Sequence, residues 1–159
     1  MKKKIVKYIV IIALFLALVP FPQKIKCEYY GTDVLSNKNA SITVDMIYLR
    51  FLLLKDKLSG EIVVTSENET VVYGEHMNYS GLCPTNNADK TMHAIHGFRY
   101  DLIDNQMMPV SVYLSRDFNR IAITDREPGV TKQYIGNIKQ NKIEETVEFF
   151  SGFIEINKK

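Results

Sequence analysis

From Ile42 to Leu54 the chain alternates. Ile42, Val44 and Met46 are separated by Thr43 and Asp45. A period of two puts alternate side chains on one face, which is the signature of a strand. Ile47, Leu49, Phe51 and Leu53 then take over, one residue out of phase. A slip of one residue predicts a β-bulge and a bent strand near Met46-Ile47. The competing reading is a helix over 46–54, whose apolar residues would lie all round and would need burial on every side.

The rest of the body reads the same way. Glu61–Thr65 and Thr70–Tyr73 are β-branched runs joined through Glu67-Asn68-Glu69, a hairpin pattern. Phe98, Tyr100 and Leu102 share one face of a further strand. Pro109 can open the next, in which Val110, Val112 and Leu114 face one way and Ser111 and Tyr113 the other. Ser115–Asn119 is a tight connection, with Phe118 folding back over the core. Ile121–Ile123 returns antiparallel, Pro128-Gly129 turns, and Lys132–Ile138 is a weaker strand. Asn141 followed by Glu144 resembles a helix-capping pair, and Ile143, Val147, Phe150 and Ile154 repeat at helical spacing. Gly152 can stop that helix, and 153–156 can instead close the sheet as a last strand. Lys55–Gly60 reads as a turn, and 74–97 as one long loop without periodicity. The expected fold is mainly β: a small antiparallel barrel or sandwich of six to eight strands with one C-terminal helix, preceded by an N-terminal hydrophobic leader helix.

The leader is the second constraint. Lys2, Lys3 and Lys4 precede an apolar run from Tyr8 to Val19. A basic head on a short apolar core is the pattern of an export signal. A span needs about 20 apolar residues, so length favours a signal peptide. Ala17-Leu18-Val19 is a poor cleavage site, which favours an uncleaved membrane anchor. Lys26 stands where a lipid-modified Cys27 would require a small residue. The expected division is 1–27 signal peptide or anchor, 28–40 polar tether, and 41–159 a single domain.

The leader also corrects the charge. The chain is formally +2, but residues 1–27 hold six lysines and no acid, so the remainder carries −4. An acidic body removes the electrostatic case for nucleic acid.

Four groups of residues invite chemistry. His76, His93 and His96 lie in the 74–97 stretch and are candidate metal ligands, with Asp89 or Cys83 completing a set, although the i, i+3 spacing of His93 and His96 converges only on a helix. Cys83 with either of those two imidazoles is a candidate nucleophile pair. Cys27 and Cys83 are the only cysteines, and in an oxidising compartment they are candidates for a disulfide, which would exclude that pair. Tyr48, Tyr73, Tyr100 and Tyr113 fall on strands and are candidates to line a small-ligand cleft, against ordinary cross-strand packing. Acids such as Asp101, Asp104, Asp117, Asp125 and Glu127 sit in or beside connections and read as turn residues. Three N-x-S/T sequons, at Asn39, Asn68 and Asn78, carry no assigned role. No nucleophile elbow, phosphate-cradling loop or dinucleotide fingerprint occurs, and no cofactor is expected.

The expected function is that of an exported all-β binding or accessory module acting outside the cytoplasmic membrane, without catalysis. Its partner is a small ligand or an envelope protein, with membrane contact through residues 1–27 if these are not cleaved, and no nucleic acid. Two alternatives stand beside it. One is a metal- or thiol-dependent hydrolase built on the 76–96 stretch. The other is a membrane-tethered envelope interaction protein.

Overall fold

The computed structural model describes residues 2–67, 69–74, 77–84, 91–101, 106–127 and 129–151. Helix α1 (Lys2–Leu18) is followed by nine strands. These are β1 (Phe21–Asp33), β2 (Lys38–Arg50), β3 (Lys57–Ser66), β4 (Thr70–Tyr73), β5 (Met77–Pro84), β6 (Thr91–Asp101), β7 (Gln106–Ser115), β8 (Arg120–Glu127) and β9 (Val130–Asn137). A 3₁₀ turn (Gln140–Lys142) leads into α2 (Ile143–Phe149).

All nine strands form one open antiparallel sheet in the order β4-β3-β2-β1-β9-β8-β7-β6-β5. Two meanders, β1 to β4 and β5 to β9, meet at the β1–β9 seam. The chain steps from one edge of the sheet to the other between Tyr73 and Met77. Four residue steps reach at most about 14 Å, so the edge strands lie close and the sheet is strongly coiled. Accordingly β3 lies against β5, on the far side of the strand order.

The seam shows how the coil is made. It pairs only Tyr30–Asp33 with Tyr134–Asn137, and it sets Gly31 opposite Gly136. A Cβ on Gly136 would lie 2.9 Å from Tyr29 Cβ and 3.1 Å from Ile42 Cδ1. Glycine is what lets Tyr29 and Ile42 close over the bend.

Period two then fills the interior. Ile42, Val44, Met46 and Tyr48 of β2 point inward, as do Val110, Val112 and Leu114 of β7 and Ile121 and Ile123 of β8. A second, smaller apolar cluster lies on the outer face: Met92, Ala122, Ile135 and Phe150, where α2 covers the sheet. Strands β8 and β9 are therefore buried on both faces over much of their length. This is why 132–138 shows little alternation in sequence.

Several expectations hold. The β3–β4 hairpin, the β7 facing and the 115–119 turn are as read, and Phe118 is buried with φ +56°. Others need correction. Among the described residues the sheet has nine strands, not six to eight. Residues 28–33, read as part of a tether, belong to β1, which pairs with β2 along its whole length. Strand β2 carries no bulge at Met46-Ile47: its register runs unbroken against both neighbours. The phase slip arises because Ile47 is an exposed apolar residue on the outer face while Tyr48 stays inside. Lys57–Gly60 is strand rather than turn. The stretch read as one long loop holds β5 and the start of β6; glycine and small polar residues in β5 hide its alternation. The Asn141/Glu144 cap is not formed, since Asn141 lies within the 3₁₀ turn and α2 has no side-chain cap. Residues 152–159, with the stop at Gly152 and the possible last strand, lie outside the described residues.

Of the expected 1–27 leader, Lys2–Leu18 is helical, as α1, whereas residues 21–27 belong to β1, and no described helix is long and apolar enough to cross a membrane. At about 1.5 Å per residue the 17 residues of α1 extend about 25 Å, short of the ~30 Å hydrocarbon core.

Candidate functional site

Two polar constellations lie inside the coil, and both involve tyrosines singled out in the sequence. The first is at the end where β2 turns into β3. Tyr48 donates its hydroxyl to Asp56 Oδ2 at 2.5 Å, and the Phe51 N–H donates to Asp56 Oδ1 at 2.9 Å. Next to Tyr48 stand Tyr79 and His93, with ring centroids 6.1 and 5.1 Å away. The Tyr79 hydroxyl lies 2.8 Å from His93 Nδ1. His93 stacks on Phe118 at 4.6 Å, nearly parallel.

The electrostatics follow from this packing. Burial pushes the His93 imidazole below its ordinary value, against a hydrogen bond with the Arg116 backbone and the Asp56 charge. Burial opposes the charge on Asp56, but the Tyr48 hydroxyl and the Phe51 N–H hold its carboxyl below the usual range. Tyr48 and Tyr79 are both raised, first by burial. The set is a neutral imidazole and two phenols leading to one carboxylate. Burial acts against charge on the imidazole and on both phenols, so the set offers no activated nucleophile.

The second constellation is built from β4, β6, β8 and β9. Tyr73 donates to Asp125 Oδ2 at 3.0 Å, and Arg99 Nε donates to the same oxygen at 2.9 Å. Arg99 also reaches Glu127 at 2.7 Å. Lys132 bridges Glu127 and Glu69, and the Tyr134 hydroxyl donates to Glu69 at 2.9 Å. Asp125 is fully buried, and its Oδ1 has no hydrogen-bond partner among the described residues. Burial raises its carboxyl despite the Arg99 guanidinium. Glu69 is also penalised by burial, yet Lys132 and Tyr134 hold it below the usual range.

Sequence reading took Asp125 and Glu127 for turn acids, whereas β8 includes both. Asp125 shares the parity of Ile121 and Ile123, which was the available signal. Glu69, Arg99 and Lys132 were missed, because nothing local announces charges that meet only after the sheet coils. Asp117 does serve its turn: it accepts from Ser115 Oγ and the Asn119 N–H, which offset its burial and hold it low.

The remaining candidates separate. Tyr100 is 43% exposed, and its partner in the β6–β7 register is Met107. Tyr113 is half-buried beside the exposed His96, with ring centroids 5.7 Å apart. Neither shares a cleft with the buried Tyr48 or Tyr73. His93 and His96 sit three apart on one strand and therefore face opposite ways, so they do not converge on a metal. His76 and Asp89 lie outside the described residues. Among the described residues no cluster of three His, Cys, Asp or Glu could hold a metal ion.

The disulfide is corrected as well: Cys27 and Cys83 are not bonded. Strand β5 slips register between Tyr79 and Gly81. A slip of one residue turns the following side chains to the other face. Tyr79 packs with the interior and Cys83 with the outer cluster, while Cys27 packs with the interior. Cys83 is thereby also turned away from His93. Burial raises its thiol, the opposite of what a nucleophile needs.

Comparison with family models, with curated proteins and with solved structures finds no match.

Proposed function

We propose that this chain is an exported, non-catalytic binding or accessory protein that works outside the cytoplasmic membrane. The observation that carries this reading is that three interior tyrosine hydroxyls are committed to carboxylates of the chain itself. Tyr48 is engaged with Asp56, Tyr73 with Asp125 and Tyr134 with Glu69. These pairs brace the coiled sheet, and recognition falls to the outer surface. There Phe98, Tyr100 and Met107 are 50%, 43% and 59% exposed on neighbouring strands, a patch suited to an envelope protein or a small apolar ligand. The short link between β4 and β5 and the packing of β3 on β5 support a barrel-like enclosure rather than a sandwich.

The export half of the reading rests on the lysine head and on α1, whose Val6, Ile9, Ile12 and Phe15 are all more than half exposed. The test is labelling of intact bacterial cells expressing the full chain with a membrane-impermeant amine reagent, followed by intact mass on soluble and membrane fractions. Labelling of the body before lysis is the expected result. A chain labelled only after lysis would sink the reading. A photo-crosslinker at Phe98 should give an adduct that the same group at Leu35 does not.

A further inference from the structure

The turn between β2 and β3 is a second hydrophobic feature, separate from the patch above. Leu52, Leu53 and Leu54 are 69%, 63% and 52% exposed. Three consecutive leucines at a loop tip are costly to leave in water. The loop is nevertheless built. Asp56 accepts from the Phe51 N–H and the Tyr48 hydroxyl, which closes the base of the loop and fixes the tip beyond it. Asp56 is the only acid between residues 50 and 57, and although its charge interacts with Arg50, exposed Arg50, Lys55 and Lys57 leave the loop net positive around the leucines. The tip also has a defined place in the molecule. Phe21, the first residue of β1, pairs with Arg50, so the loop stands at the end of the sheet where the chain arrives from α1. Phe21 itself is 57% exposed.

We infer that the Leu52–Leu54 tip is an interfacial membrane contact that takes anionic lipid. The leucines enter the boundary between headgroups and acyl chains, and Arg50, Lys55 and Lys57 meet the lipid phosphates. An apolar tip ringed by cations on an otherwise acidic body fits an anionic bilayer better than another protein surface. Insertion at this end sets the sheet upright on the membrane, with the Leu35 turn of the β1–β2 hairpin pointing away. The inference deepens the proposed reading and rests on it for the presence of a membrane, while the loop's own contact is separately testable.

The chain contains no tryptophan, so a single introduced one reports its own surroundings. Full-length Leu53→Trp, Leu35→Trp and Phe15→Trp are each mixed with phosphatidylcholine vesicles, with and without phosphatidylglycerol. Leu53→Trp should shift to the blue and be quenched by brominated lipid only when phosphatidylglycerol is present. Leu35→Trp should not change. If Phe15→Trp responds and Leu53→Trp does not, the loop contact fails and the reading of α1 stands. If neither responds, both fail. A Leu53→Trp shift that grows with protein concentration without vesicles would show self-association and overturn the lipid assignment. A shift equal in both vesicle types would overturn the role of the cations. Arg50→Gln/Lys55→Gln/Lys57→Gln in the Leu53→Trp background should abolish the preference for phosphatidylglycerol.

Discussion

Tyr73 on β4 and Asp125 on β8, 52 residues apart in sequence, meet in a 3.0 Å hydrogen bond across the interior. The bond joins the two meanders through the interior, apart from the backbone pairing of their seam. Removing the hydroxyl leaves the fully buried Asp125 with Arg99 alone. Tyr73→Phe should destabilise by about 1–3 kcal/mol, the cost of a buried acceptor losing its donor. Arg99→Met should cost more, about 3–5 kcal/mol, because it strands a buried charge. Asp125→Asn in the same chain should recover part of that loss. Urea unfolding of the native chain, Arg99→Met, Asp125→Asn and the double variant closes the cycle, and strictly additive losses would mean that Arg99 and Asp125 are not coupled.

His93 predicts the response to mild acid. Burial holds its folded value below the ordinary 6.5. The unfolded chain therefore binds the proton more readily, and stability rises with pH across the window between the two values. The contribution is complete above 6.5 and is lost as pH falls through the folded value, with a slope of at most about 1.4 kcal/mol per pH unit. His93→Gln should flatten the unfolding profile just below 6.5. The low carboxyls of Asp56, Glu69 and Asp117 act in the same direction but further into acid. An unchanged slope in His93→Gln would remove the argument.

Much of the fold was legible in the sequence, and the failures have physical causes. Strand β7 was clear because only one face is buried, so Val110, Val112 and Leu114 stand out against their neighbours. Strand β5 was not, since Gly81 and the register slip beside it break the pattern. Strand β9 was weak because α2 buries its second face. The candidate site was half visible. Tyr48 and Tyr73 were singled out; Asp56 passes for a turn residue although it lies only eight residues from Tyr48, and the pairing of Asp125 with Tyr73 exists only once the coil brings β4 and β8 together.

The cysteines give a mass prediction. With Cys27 inside and Cys83 outside the sheet, the intact mass of the purified full chain should not change on reduction. Two thiols should react with a maleimide after unfolding, without reductant. A single-chain product that gains the mass of two hydrogens on reduction would contradict the β5 register, since the bridge needs both sulfurs on one side.

The seam should resist enlargement. Gly136→Ala would place a methyl 2.9 Å from Tyr29 Cβ, a main-chain-anchored atom that cannot swing aside. The expected cost is about 1–3 kcal/mol of overpacking. Ile42 Cδ1 stands 3.1 Å from the same point. Ile42→Val should therefore cost less in the Gly136→Ala background than in the native chain, as read from chemical unfolding midpoints. Equal costs in both would show that the two sites do not share the space.

Helix α2 is held by one side chain more than by its own sequence. At seven residues and without a side-chain cap, it is too short to persist unaided. Asn137 supplies the latch: its Nδ2 donates to Thr146 Oγ1 at 2.9 Å and to the Lys142 carbonyl at 3.3 Å, and its Oδ1 accepts from the Lys139 N–H at 2.9 Å. Thr146 is fully buried, so it loses a donor with no water to replace it. Asn137→Ala should cost about 1–3 kcal/mol and release α2 before the sheet. In hydrogen exchange, amides of 146–151 should lose protection while those of β7 keep theirs. Release also uncovers Phe150 and the Met92–Ala122–Ile135 surface beneath it, so dye binding to exposed apolar surface should rise below the melting temperature. If α2 stays as protected as in the native chain, apolar packing of Phe150 rather than the Asn137 latch is what holds the helix.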